Sequence, residues 1–132
     1  MGIGGNLCGI IQVKVKEGYK NRIKEWVPAW KECMRLTGWL DLSTGDSGRT
    51  VFSAKIQEST HIFLCDYQTL TGRVLLGEKE TEVPVTSENA RMLIDGSIYE
   101  ILLIDDPMNR REHLEIYLKY TGGQDGERRI YG

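Results

Sequence analysis

The sequence predicts an all-β, mainly antiparallel domain with long loops and at most a short helix. Three observations carry this reading. Residues 89–121 read as three consecutive strands, and the first two meet at Asp95-Gly96. That pair is a two-residue hairpin signal: glycine takes positive φ without a Cβ clash, and aspartate tolerates it. Residues 113–120 alternate, with Leu114, Ile116, Leu118 and Tyr120 on one face and His113, Glu115, Tyr117 and Lys119 on the other. Such alternation marks a half-buried strand. Fifteen glycines against three prolines suit a chain with many turns.

The 132 residues allow one domain with a modest core. Apolar content of 40% with 27% charged residues fits a globular chain rather than a disordered one. A net charge of −2 disfavours nucleic-acid binding as the main task, because proteins that neutralise duplex phosphates are basic. No apolar run approaches the roughly 18 to 20 residues that span a bilayer. No basic stretch followed by an apolar one marks a secretion signal. Cys8, Cys33 and Cys65 are odd in number, far apart and set among apolar residues, so they read as reduced core thiols in a reducing compartment.

Taken in order, residues 1–7 are glycine-rich and read as a flexible arm. Residues 8–15 alternate, with Gly9, Ile11, Val13 and Val15 forming the apolar face of a first strand. Residues 17–21 read as a turn. Residues 23–34 partly fit a helical period, but Pro28 lacks an N–H and clashes with a preceding helical turn. A strand with an edge or bulge at Pro28 is therefore expected. Residues 37–49 are rich in turn formers, with Trp39, Leu40 and Leu42 pinning the loop to the core. Residues 50–58 and 60–67 read as two more strands, with a helical turn at 53–57 as the alternative for part of the first. Residues 68–88 read as a long inserted loop, charged at Glu78, Lys79, Glu80 and Glu82. Loops of such length are usually functional or disordered.

The strand at 97–104 is apolar on both faces and needs cover on both. Ile98, Leu102 and Ile104 are assigned to its own core. Tyr99, Ile101 and Leu103 are left as interface candidates, for covered or intersubunit contact. Residues 122–132 form a polar tail that reads as flexible in the isolated chain, with Arg128, Arg129 and Tyr131 as further interface candidates.

No motif converges into an active site. Gly45-Asp46-Ser47-Gly48 spells the core of a serine-protease nucleophile loop, but the chain is too short for that two-barrel fold, and a polar turn accounts for it better. His61 and His113 lack ligand spacing to a second Cys or His. Asp105 and Asp106, with Glu112 and Glu115, show no cation-loop pattern and read as turn formers. No catalytic, metal or cofactor-binding residue is expected. The competing reading is a small β-barrel enzyme or ligand binder using His61, His113 and Glu115.

The order of segments resembles the head–tail connector family of tailed bacteriophages, the head-closure or stopper proteins. Thr60, His61, Ile62, Leu64 and Tyr67 are similar to that family's "THxIxIxY" strand. Met92, Ile94, Tyr99, Ile101, Ile104 and Asp105 are similar to its "MxIxxxxYxIxxIxD" hairpin. Arg111, Leu114, Ile116 and Leu118 are similar to its last turn and strand, and residues 26–38 to its tryptophan-bearing strand. The resemblance spans residues 10–120. Two departures are the length of the 68–88 loop and the lack of a clear helix within 37–49. The resemblance implies a small β-barrel or sandwich with no catalysis and no cofactor. It implies a head-to-tail ring of about twelve copies at the neck of the virion, made in the host cytoplasm. Portal and adaptor proteins would lie on one side and a tail-terminator or tail-tube protein on the other, with genomic DNA in the channel and no membrane. A tail-terminator ring is the alternative within the same class.

Overall fold

The computed structural model describes residues 2–20, 26–42, 58–76 and 78–124. Eight strands follow in order: β1 (Leu7–Lys20), β2 (Trp26–Leu42), β3 (His61–Asp66), β4 (Thr71–Leu76), β5 (Lys79–Pro84), β6 (Ala90–Ile94), β7 (Ser97–Asp105) and β8 (His113–Gln124). Six of them close a barrel in the order β1-β2-β3-β8-β7-β6, and every pairing is antiparallel. The other two, β4 and β5, form a separate hairpin. The all-β expectation holds, and the architecture is a small barrel.

The interior is filled by alternate residues of each strand. Ile11 and Val13 from β1, Phe63 from β3, Met92 from β6 and Ile116 and Leu118 from β8 are fully buried. At about 25 cal/mol per Å² of apolar surface removed from water, each such side chain contributes about 1.5–3 kcal/mol. The face read as apolar in the first strand is the face that points inward. The Asp95-Gly96 turn is also where it was expected: both residues have positive φ (51° and 83°), and Ile94 pairs with Ser97 directly across it.

Pro28 does mark an irregularity. Val15 pairs with Ala29 and Tyr19 with Val27, so residues 16–18 of β1 face Pro28 alone. The missing N–H breaks the ladder there, and β1 takes up the extra length. The turn expected at 17–21 is thus largely a bulged continuation of β1, which runs to Lys20. A second bulge places Cys33 between the Ile11–Met34 and Gln12–Glu32 pairs.

Residues 37–42, expected as the start of a loop, belong to β2, and residues 38–42 pair with β3. Gly38 is there for space and not for a turn. A Cβ on it would lie 2.2 Å from the Leu64 carbonyl oxygen and 2.9 Å from the Phe63 ring. The N-terminal segment also departs from expectation. Residues 2–6 lie against β2 and β3 instead of forming a free arm. The Asn6 N–H donates to the Gly38 carbonyl at 3.1 Å, the Ile3 N–H to the Asp66 carboxylate, and Trp39 Nε1–H to the Ile3 carbonyl at 3.2 Å. At the other terminus, β8 continues to Gln124. The rest of the expected tail, and the strand expected over 50–57, lie outside the described residues.

Candidate functional site

The segment 68–88 was expected as a loop. It is a two-stranded hairpin standing on the barrel. β4 turns Gly72 and Val74 inward, and Val74 is 3% exposed and joins the barrel core together with Val85. Gly72 lets β4 lie directly on β2, since a Cβ there would meet Cys33 at 2.5–2.7 Å. Lys31 Nζ donates to the Leu75 carbonyl at 2.6 Å. Asn89 anchors the return to the barrel. Its Nδ2–H donates to the Pro84 carbonyl at 2.9 Å, its Oδ1 accepts from the Thr86 N–H at 2.9 Å, and its carbonyl accepts from the Lys14 N–H at 2.8 Å.

The opposite face of the hairpin carries Glu80 and Glu82, while Lys79 pairs with Leu76 on the face of Val74 and Glu78 lies in the turn. Glu78, Lys79, Glu80 and Glu82 are all exposed. Leu75 sits across from Glu80, and Arg73 across from Glu82. Arg73 Nη1 lies 3.6 Å from Glu80 Oε1, an exposed pair worth little in water. Two strands that bury one sparse face leave a weak periodic signal, and the charged half of the segment obscured it.

The interface residues chosen on β7 are divided by a bulge. Ile101 pairs with Leu118, but Leu103 pairs with Tyr117, so Leu102 is the extra residue. Tyr99 and Ile101 point into the barrel and are 7% and 1% exposed. They belong to the chain's own core, which corrects their assignment as intersubunit candidates. Leu102 is also buried, but outside the central cluster. Leu103 is half-buried on the outer surface opposite Tyr117. Strict alternation gave the wrong face because one bulged residue inverts the pattern. Arg128, Arg129 and Tyr131, and the Gly45-Asp46-Ser47-Gly48 stretch, lie outside the described residues.

Of the residues of the enzyme alternative, His113 and Glu115 meet, but His61 stands apart from them. His61 pairs with Leu118 and His113 with Asp66, at opposite ends of the β3–β8 ladder. His61 packs edge-on against Tyr99, with ring centroids 5.2 Å apart. The Thr60 hydroxyl lies 2.8 Å from His61 Nδ1. His113 Nε2 lies 3.3 Å from Glu115 Oε2, and the Tyr117 hydroxyl donates to Glu115 Oε1 at 3.0 Å. Among the described residues, no cluster of three or more metal-ligating side chains forms. None of the described helices is long and apolar enough to cross a membrane.

A cleft of about 410 Å³ on the outside of β1, β6 and β7 was not singled out from the sequence. Trp30 forms one wall, with Arg91 stacked 4.2 Å from its ring centroid and Lys14 at 5.9 Å. Arg91 Nε donates to Gln12 Oε1 at 2.7 Å. Glu88 and Glu100 line the other side, so the cleft carries both charge signs. Only the β1–β6 register brings Gln12 opposite Arg91, and residues 79 apart in sequence give no local sign of it.

The cysteines are free, but they are not all in the core. Cys8 is exposed, Cys33 half-buried and Cys65 buried. Burial, with the Asp66 carboxylate beside it, pushes the Cys65 thiol up to about 11 from an ordinary 9.0. In the native protein a small thiol reagent should label Cys8 first, Cys33 slowly and Cys65 only on unfolding. Cys65 reacting as fast as Cys8 would contradict the core. The folded chain also holds this proton more tightly than the unfolded one. Stability should therefore fall as pH rises from about 9 to 11, by about 2 kcal/mol at the upper end. The difference in pH slope between wild type and Cys65→Ala measures this directly.

No protein-family model matches the chain, and no curated protein matches its sequence.

Proposed function

We propose that the chain is a structural subunit of the head–tail joint of a tailed bacteriophage, a connector of the head-closure or stopper kind. The observation that carries this reading is the β4–β5 hairpin. It packs on a barrel whose interior is filled by side chains, and it exposes Glu78, Glu80 and Glu82. A solid barrel with an exposed acidic projection suits a part that contacts other proteins around DNA. Carboxylates facing a DNA channel repel phosphate and keep the genome from sticking. The ordered series of strand motifs over residues 10–120 supports the same reading.

On this reading the subunit joins a ring between portal and tail, and performs no chemistry. The test is electron microscopy of the full chain with candidate portal, adaptor and tail-tube proteins encoded near its gene. A ring bound beneath the portal and adaptor is the expected result. A ring that binds only the tail tube selects a tail terminator instead. Absence of any ring on either partner overturns the proposal.

A further inference from the structure

The turn between β7 and β8 is held in a costly backbone conformation. Met108, Asn109 and Arg111 all have positive φ, at 59°, 54° and 57°. A non-glycine residue in the left-handed region is disfavoured, because its Cβ crowds the backbone. Asp106 holds the turn in place. Its carbonyl accepts from the Asn109 N–H at 2.9 Å, and its Oδ1 accepts from the Arg111 N–H at 3.0 Å. The result is a fixed knob with Met108 at its tip, 82% exposed. Arg110 faces Glu112 at 3.8 Å, while the Arg111 guanidinium has no partner among the described residues.

The outward face of the β4–β5 hairpin has the matching character. Leu75 is 55% exposed, and the Glu82 carboxylate has no partner among the described residues. Both spring from one end of the barrel, where Leu70 and Val85 at the base of the hairpin line a pocket with Ile104 and Asp106. Asp66, where the chain leaves for the hairpin, pairs with His113, where it returns from the β7–β8 turn. The hairpin leans on β2, which stands three places from β7 in the six-stranded ring.

We infer that the β7–β8 turn of one copy docks on the outward face of the β4–β5 hairpin of a second copy, with Met108 against Leu75 and Arg111 against Glu82. This rests on the reading of the chain as a self-assembling structural subunit, and it names the contact. The two patches differ, so the contact is head-to-tail and repeats into a closed ring or an open filament. Exposed apolar tips with a charged neighbour are a common composition for such contacts, the charge setting register more than affinity.

The experiment is sedimentation velocity of the full chain over a concentration series, for wild type, Arg111→Glu, Glu82→Arg and the double variant. Both substitutions fall on exposed side chains, and circular dichroism melts confirm that the fold is kept. The wild type is expected to self-associate, each single variant to weaken association about tenfold, and the double variant to recover most of that loss. Met108→Ser should weaken association without rescue by either charge change. Single variants that associate like the wild type overturn this contact and leave self-assembly standing, as do weakened singles with no recovery in the double. A wild type that remains monomeric at every concentration overturns the contact and the self-assembly reading together.

Discussion

Phe63→Ala should destabilise the domain by about 3–5 kcal/mol, the usual cost of emptying a fully buried aromatic site. Phe63 is 0% exposed and is the largest of the fully buried side chains among the described residues. It comes from β3, between β2 and β8 in the closed order. Its ring fills space left by two glycines on neighbouring strands. A Cβ on Gly9 would lie 3.4 Å from the ring, and one on Gly38 would lie 2.9 Å from it. Removing the ring therefore opens a void beside backbone that has no side chain to lean in. Strands fixed by ladders on both sides cannot collapse far, so the cavity term stays large. A domain of this size has about 5–15 kcal/mol of stability in total. The melting temperature should drop by roughly 10–20 °C, which calorimetry or a circular dichroism melt would read. Phe63→Leu retains most of the volume and should cost less than half as much. A loss below about 1 kcal/mol for Phe63→Ala would mean that β3 is not a central strand of the barrel.

The parts of this fold that were legible in the sequence are those where local chemistry and global role coincide. Asp95-Gly96 needs positive φ wherever it occurs, so the β6–β7 hairpin was readable in isolation. β8 alternates apolar residues with more polar ones over residues 113–119, so Leu114, Ile116 and Leu118 announced themselves as core. Tyr117 did not. It sits on the face read as polar and is 2% exposed. Bulges hid the remainder. Leu102 inverts the inward face of β7, and nothing in a run of Ile101, Leu102, Leu103 and Ile104 tells which residue is the extra one. Glycines misled where they serve packing. Gly38 read as a turn residue, although it allows β2 to approach β3 and the Phe63 ring. The candidate surfaces were half legible. The charges on the hairpin were visible as composition, but the side on which Glu80 and Glu82 share a face with Leu75 depends on the β4–β5 register.

Gly38→Ala tests the packing role against the turn role, with an expected cost of about 3 kcal/mol. The added methyl would stand 2.2 Å from the Leu64 carbonyl oxygen, which is backbone inside the β2–β3 ladder. That atom moves only if the ladder moves. The same methyl would press on Phe63, and Gly38 is also the seat of the N-terminal segment. A Cβ on Gly5 would lie 2.3 Å from Gly38 Cα, and the Asn6 N–H bonds to the Gly38 carbonyl. Shifting β2 outward would therefore disturb that contact too. Overpacking usually costs about 1–3 kcal/mol, and a backbone clash places this site at the upper end. Gly9→Ala supplies the comparison. Its nearest neighbour would be the Met92 sulfur at 2.8 Å, the flexible part of a side chain that can rotate away, so about 1 kcal/mol is expected. Gly96→Ala supplies the other limit. Nothing lies within 4 Å of its Cβ position, and only its φ of 83° opposes the change, again at about 1 kcal/mol. Denaturant titration of the three variants should rank Gly38→Ala well below the other two in stability. If Gly38→Ala proves no worse than Gly96→Ala, then β2 and β3 do not approach as closely as the barrel requires. In that case Gly38 serves as a turn residue, as its sequence context first indicated.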